Sequence, residues 1–370
     1  MFSLLLTTLL QTADPTAALQ AQLDAFTANE AVPGACLAVH HEDGRTLRLA
    51  SGFADVEAEE AMTVDHRLMS GSIGKTYFAA WYLDLLEEGV VRTDDKLQAY
   101  LKGEEWYARL PNHATITLAH LFHHQSGIPE HVHLQEFWDD ARADVHRVWK
   151  PEELVAYILD AEPLFEAGAD WSYADTNFIL AAMALEKATG KSAYREIHRR
   201  YLMPLGLRDT LPTTAADLPG LTQGYHILGE PGRGAALPVL HAGRMELNPQ
   251  LEWAGGGYYS TTADLAAWGA YLFTGKAADH GQVEASIVSA VKAKLWPGDR
   301  YADGIIVSET PFGPGLGHSG WFPGYTAEVM YFPDHGFSIA IQANTDDVRR
   351  TGPLRMQILE VAKLLVEEEA

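Results

Sequence analysis

Ser72-Ile73-Gly74-Lys75 stands where a strand-rich segment gives way to a helical one, and its reading decides the rest of the chain. Residues three apart on a helix share a face, one turn from each other. A serine hydroxyl and a lysine amine at this spacing can share a proton. A free serine is a poor nucleophile until a neighbouring base takes its proton, and a desolvated lysine can do so. The tetrad therefore predicts a serine hydrolase built without a histidine–aspartate relay. Spacing alone does not carry this, because Ser289-Ala290-Val291-Lys292 repeats it in what reads as an amphipathic helix near Val288 and Leu295. Partners elsewhere must decide.

Upstream, Asp14-Pro15 reads as a helix cap and first-turn proline, with the helix running through Leu19, Leu23 and Phe26 to about Asn29. Strands over 35–40 and 45–51 follow, joined across Glu42-Asp43-Gly44, a hairpin signal. The Ser72 helix continues through Tyr77, Trp81, Leu83 and Leu86. From 93 to 240 the pattern is mainly helical, with pieces at 117–124, 151–159, 177–189 and 192–201. Strands return at 315–320, 326–332 and 337–343, the last two joined by Pro333-Asp334-His335-Gly336. A closing helix at 354–367 carries Ile358, Val361, Leu364 and Leu365 at helical spacing. Strands at both ends imply one sheet with a helical insertion. Residues 14–92 and 241–370 would form an α/β lobe and 93–240 a helical lobe.

A chain of 370 residues needs no covalent staples, and a single cysteine, Cys36, excludes a disulfide framework. Lying in an apolar run, Cys36 reads as a small buried hydrophobe. Lys plus Arg number 27 against 50 Asp plus Glu, so a net charge of −23 repels nucleic acid and anionic membranes. No segment is long and apolar enough to span a bilayer. Residues 1–13 have the apolar centre and small-residue exit of a secretory signal without its basic lead. Export to a periplasm or the medium is the expectation, with a cytoplasmic location as the alternative.

Two further stretches can carry chemistry. Trp171-Ser172-Tyr173-Ala174-Asp175-Thr176-Asn177-Phe178 is a polar, aromatic loop before an apolar helix. A tyrosine is a competent base if nearby positive charge lowers its pKa, and a protonated Lys75 would supply that charge. Taken by itself, the same stretch reads equally as a helix cap at Asp175 or Thr176 with Tyr173 packed behind it. Gly317-His318-Ser319-Gly320-Trp321-Phe322-Pro323-Gly324-Tyr325 places small residues, Ser319 and Gly320, at a strand end where a substrate can lie against the backbone. Ser319 is not the serine of a Gly-x-Ser-x-Gly elbow, since residue 321 is Trp. His120, His123, His124, His131 and His133 cluster, but no glutamate lies between His120 and His124 as a His-Glu-x-x-His metal site requires. They read as structural histidines, with no metal. Nucleotide-binding glycine loops are absent from the sequence.

Ser-x-x-Lys, then Tyr-x-Asn, then Lys/His-x-Gly is the order found in the penicillin-recognising serine hydrolases, and the chain resembles that family. It is similar to the branch holding class C β-lactamases, D-Ala-D-Ala carboxypeptidases, D-aminopeptidases and related esterases. Ile116-Thr117-Leu118-Ala119-His120-Leu121-Phe122-His123-His124-Gln125-Ser126-Gly127-Ile128-Pro129 and Ala254-Gly255-Gly256-Gly257-Tyr258-Tyr259-Ser260-Thr261-Thr262-Ala263-Asp264-Leu265 fit the same pattern. The resemblance spans roughly residues 16–365. It implies a β-lactamase-like α/β fold, an antiparallel sheet flanked by terminal helices with a mainly helical insertion lobe. It further implies Ser72 as nucleophile, Lys75 as its proton partner, Tyr173 as base and shuttle, and the backbone N–H groups of Ser72 and Trp321 as oxyanion hole. By the same resemblance, His120 and His124 occupy places where the family often has histidine, and neither metal nor organic cofactor is needed.

Two positions depart from the pattern. Asp175 stands in place of asparagine, where its charge holds Lys75 protonated and shifts the role of base to Tyr173. His318 replaces lysine and is a weaker anchor for a substrate carboxylate. Both argue against an efficient β-lactamase. The expected substrate is a small ester, with a D-amino-acid peptide or amide as the alternative and weak β-lactam hydrolysis behind it. A non-catalytic peptidoglycan sensor is the reading from another class, and the joint presence of Ser72, Lys75 and Tyr173 counts against it. Loops near Trp106, Trp138, Trp253 and Trp296 set the acyl pocket or simply pack.

Overall fold

Alternation along the strand Gly34–His41 sets the layers of the molecule: Leu37 and Val39 face one side of a sheet and Ala38 the other. The computed structural model describes residues 15–227 and 237–369. On the first face, Leu37, Val39, Ile339 and Ile341 pack against Leu19, Leu23 and Phe26 of the helix Thr16–Thr27. Ile358 and Val361 of the closing helix Leu354–Glu369 complete that layer. On the second face Ala38, Ala327 and Ala340 are small, so Leu265 and Ala266 of the helix Thr262–Phe273 approach closely. Ile73 joins this cluster and pins the Ser72 turn to the sheet.

Among the described residues the sheet has nine strands, all paired antiparallel. From one edge it runs Val291–Lys292, Arg300–Ala302, Ile305–Thr310, Gly313–Phe322, Tyr325–Phe332 and Phe337–Ala343. Gly34–His41, Thr46–Asp55 and Glu60–Ala61 complete the order. Both chain ends therefore supply one sheet, as the alternation of the sequence predicts. Inserted between them, the helix Lys75–Glu87 buries Trp81 and Tyr82. Tyr82 stacks on Phe122 of the helix Leu118–Phe122 at 3.9 Å, and Phe122 meets Phe178 of the helix Asp175–Thr189 at 5.3 Å. This aromatic column fixes the Asp175 helix beside the Ser72 helix.

Several expectations change. The Ser289–Lys292 tetrad is not on one helix. The helix His280–Ser289 ends at the serine, Ala290 is extended (ψ 129°), and Lys292 pairs with Arg300 in the sheet. The helix expected at 192–201 is Ala193–Ile197 followed by a π-helical turn, His198–Leu202. Between 203 and 240 the described residues carry turns and the short strands Leu211–Pro212, Tyr225–His226 and Leu237–Pro238 rather than helix. Residues 1–13 and the Asp14 cap lie outside the described residues. Cys36 is buried, and burial pushes its thiol up to about 12. Among the described residues no helix is long and apolar enough to cross a membrane.

Ile358 is fully buried between the closing helix and the sheet. Ile358→Ala is expected to cost about 2–5 kcal/mol, the range for truncating a large aliphatic core side chain. Urea unfolding of the two proteins measures it.

Candidate active site

Gly71–Gly74 forms a single 3₁₀ turn that runs directly into the helix Lys75–Glu87. In a 3₁₀ turn residues i and i+3 eclipse, so Lys75 Nζ comes within 2.9 Å of Ser72 Oγ. The strand Gly313–Phe322 pairs with Ile305–Thr310 only as far as Gly317, leaving residues 318–322 open on that edge. The Ser72 turn fills the gap. Gly71 sits at φ 50°, and a Cβ there would lie 2.6 Å from the Trp321 nitrogen; one on Gly320 would lie 1.9 Å from the Ser70 carbonyl oxygen. Only glycines permit this approach. It brings the Trp321 backbone nitrogen against the turn that carries Ser72, where the family resemblance implies an oxyanion hole.

Lys75 is fully buried. Its ammonium donates to Ser72 Oγ at 2.9 Å, to Asp175 Oδ1 at 2.5 Å and to the carbonyl of Gly255. An ammonium has three N–H bonds, and all three are used. Lys75 is thus a cation with no lone pair to offer. Asp175 opens the helix Asp175–Thr189, and its backbone N–H donates to Glu130 Oε2, while Glu130 Oε1 meets His131 Nδ1 at 3.1 Å. Burial pushes the Asp175 carboxyl up, with the Lys75 charge pulling it back and Glu130 adding to the rise.

The Tyr173 ring lies 4.8 Å from Lys75 Nζ and 4.2 Å from the His124 ring. Burial holds its phenol far above the ordinary value, the Asp175 charge adds to this, and the Ser72 hydroxyl opposes it. Tyr173 is therefore a neutral phenol at rest. The expectation that Lys75 would lower its pKa fails, because burial of the phenol dominates and the Asp175 charge adds to the rise. His124, at φ 56°, accepts the backbone N–H of Ala174 at 3.3 Å and Asn177 Nδ2 at 3.1 Å through Nδ1. It fixes the backbone that carries Tyr173.

His318 is buried and bonded on both nitrogens. Nδ1–H donates to the Ser319 carbonyl at 2.6 Å, so Nε2 accepts from the Tyr301 hydroxyl at 3.1 Å. Burial first, and then the Lys75 charge, push its pKa down to about 3. Rather than a weak anchor for a carboxylate, His318 is no cation at all. The other histidines serve separate tasks: His120 caps its helix, His123 meets Asp303 at 3.4 Å, and His131 bonds Thr176 and Glu130. Among the described residues no group of three or more His, Cys, Asp or Glu is placed to hold a metal.

Ser72, Tyr173, His318, Ser319, Gly320 and Trp321 line one cavity of about 360 Å³. Asp175 lines a second cavity, of about 70 Å³, together with Glu252 and Trp321. The structure adds residues that the sequence left unmarked: Glu130, Glu252, Tyr301 and the Gly255 carbonyl. Glu252 alone had a signal, lying just ahead of the triple glycine Gly255-Gly256-Gly257. Of the four tryptophans, Trp138 borders the Asp175 cavity and Trp296 the Ser72 cavity.

A family model described as beta-lactamase matches residues 19–363. The chain belongs to the beta-lactamase family. It has the β-lactamase-like fold of that family. It is 26% identical over 327 residues to a D-aminopeptidase of Brucella anthropi, covering 84% of this chain and 56% of that protein. It is 23% identical over 310 residues to a penicillin-binding protein of Bacillus subtilis, covering 80% and 64%. The chain thus spans about three-fifths of the length of these curated relatives. Among solved structures, a D-stereospecific amidohydrolase from Streptomyces superposes with a TM-score of 0.76 at 27% identity, covering 91% of this chain and 97% of that one. A D-amino acid amidase from Ochrobactrum anthropi shares the fold with a TM-score of 0.82 at 23% identity, covering 97% and 100%.

The His318 imidazole stays neutral in the fold down to about pH 3, whereas its ordinary value is about 6.5. The unfolded chain binds the extra proton through this window, so stability falls as pH drops from about 6.5 to about 3. His318→Gln is expected to flatten that part of the decline, read from urea midpoints across a pH series.

Proposed function

We propose that this family member hydrolyses an amide whose acyl half carries a free amine, a D-amino acid amide or the first residue of a D-amino-acid peptide, through a Ser72 acyl-enzyme. One observation carries the reading: among the described residues, the cavity lined by Ser72 and Tyr173 has no uncommitted cation. Lys75 spends its three donors on Ser72, Asp175 and Gly255. His318 is neutral, and Arg355 is bound to Asp299 at 3.1 Å and Ser308 at 2.8 Å with Glu328 at 3.6 Å. Substrates that end in a carboxylate, including β-lactams and C-terminal D-alanine, lack a counter-charge here. Amides and amine-bearing substrates need none. The relatives named for D-aminopeptidase and D-amino acid amidase activity support this reading over the small ester favoured by the sequence alone.

In this mechanism the Ser72 hydroxyl attacks the carbonyl while its proton passes to the Tyr173 oxygen, as the Tyr173 proton passes to the leaving nitrogen. A neutral phenol can make this double transfer, and no net charge is created on it. The fixed Lys75 charge stabilises the negative charge that develops on Ser72 Oγ. Backbone N–H groups of Ser72 and Trp321 hold the oxyanion, each worth about 3–4 kcal/mol in such sites. Water then replaces the amine, and the same transfers run in reverse to release the acid.

Ser72→Ala is expected to abolish both fluorophosphonate labelling and hydrolysis of D-amino acid amides. Wild-type protein that is labelled but turns over only simple esters would reverse the choice of substrate. Asp175→Asn is expected to raise reactivity toward a chromogenic cephalosporin relative to D-amino acid amides, because it removes a charge that repels the cephalosporin carboxylate. An unchanged ratio of the two rates would remove Asp175 from the account of specificity.

A further inference from the structure

Trp321 lines two cavities of the cleft. The one that contains Ser72 also contains Tyr173, the proton donor of the proposed mechanism, which assigns the leaving group to it. That leaves the acyl half for the cavity of about 70 Å³ that Asp175 and Glu252 line. Both carboxyl groups flank one peptide unit. A Cβ built on Gly255 would lie 3.1 Å from Asp175 Cγ, and one on Gly256 would lie 2.1 Å from Glu252 Oε1.

Each carboxyl has one oxygen committed and one uncommitted. Asp175 Oδ1 takes Lys75, and no described group donates to Oδ2. Glu252 Oε2 accepts the Gly257 N–H at 2.8 Å, and no described group donates to Oε1. Glu252 is only 8% exposed, yet it borders the cavity. Neither free oxygen is sealed within the protein, so each is open to a donor that enters the cavity. Leu251, Val132 and the Trp138 indole form apolar walls around the pair. His131, the nearest candidate counter-ion among the lining residues, is already engaged with Glu130 and Thr176. The same cavity shares Val132, Trp138, Trp321, Phe322 and Pro323 with a larger void of about 600 Å³.

We infer that Glu252 Oε1 and Asp175 Oδ2 form the subsite for the primary ammonium next to the scissile carbonyl of the substrate. The inference rests on the functional reading above and names the residues that would select the amine. An ammonium offers three donors in a compact group, which suits two carboxylate oxygens and an indole face. Asparagine at 175 would offer the cavity one fewer negative charge, so the replacement of the family residue and the presence of Glu252 act together. Burial holds the empty-site Glu252 up at about 8, and an arriving cation would favour its ionised form.

Calorimetric titration of the Ser72→Ala protein tests this without turnover. D-phenylalaninamide and 3-phenylpropionamide differ only in the amine. The first is expected to bind at least about tenfold tighter, the scale of one charge-assisted hydrogen bond. Adding Glu252→Gln, which keeps an acceptor for the Gly257 N–H, should shrink the gap to about threefold or less, while Glu252→Asp keeps most of it. Asp175→Asn in the same background should also narrow it and serves where the glutamine variant does not fold, as judged by thermal melting. Equal binding of the two amides, binding of neither, or a gap that survives Glu252→Gln overturns the assignment. If the gap behaves as expected but wild-type protein hydrolyses no amino acid amide, the functional reading fails and the subsite stands.

Discussion

The buried ammonium of Lys75 is the constraint on which the site depends. Transferring a lone ammonium from water to a protein interior costs several kcal/mol, and only a full set of partners offsets this. Here the partners come from three parts of the chain: the Ser72 turn, the start of the Asp175 helix and the Gly255 turn. None is near another in sequence. Satisfying one cation thus forces the sheet-bound turn, the helical insertion and the returning chain to converge within hydrogen-bonding distance. Removing Asp175 or displacing Gly255 would leave that charge underpaired, which ties the architecture of the cleft to its electrostatics.

With every N–H of Lys75 committed, the mobile proton has to belong to another group. Tyr173 is held neutral by burial and by Asp175, and its ring is clamped between His124 and the Lys75 charge. A phenol in that setting passes a proton on as it receives one. Lysine then acts as a stationary charge. Burial sets this division of labour, and the Asp175 charge reinforces it.

Much of this was legible in the sequence. With the turn before it, the apolar run 337–343 reads directly as a strand, which is buried on both faces of a paired sheet. The order of Ser72, Tyr173 and His318 led to residues that the fold brings into one cavity. What stayed hidden has physical reasons. The charge state of His318 depends on burial beneath distant parts of the chain and on the Lys75 charge, and no local pattern reports either. The Ser289–Lys292 tetrad looked helical because its flanking apolar spacing is helical, yet the paired strand at Arg300 captures Lys292. Glu252 had only its place ahead of the triple glycine to mark it, because its position is set by a turn rather than by a periodic element.

That turn shows how strongly the site dictates its surroundings. Trp253 adopts φ 39°, ψ −121° inside the segment Pro249–Gly255, a conformation that a bulky side chain resists. Such strain, of order 1–3 kcal/mol, persists only where the surroundings over-determine it. The Tyr194 hydroxyl donates to the Trp253 carbonyl at 3.1 Å, and Glu252 bonds Gly257 across the bend. These two contacts hold the chain in the one path that aims the Gly255 carbonyl at Lys75 and turns Glu252 toward Asp175. A relaxed turn would lose the third acceptor of the buried cation. The strain at Trp253 is therefore best understood as a consequence of Lys75, and the two carboxyl groups beside it as a product of the same bend.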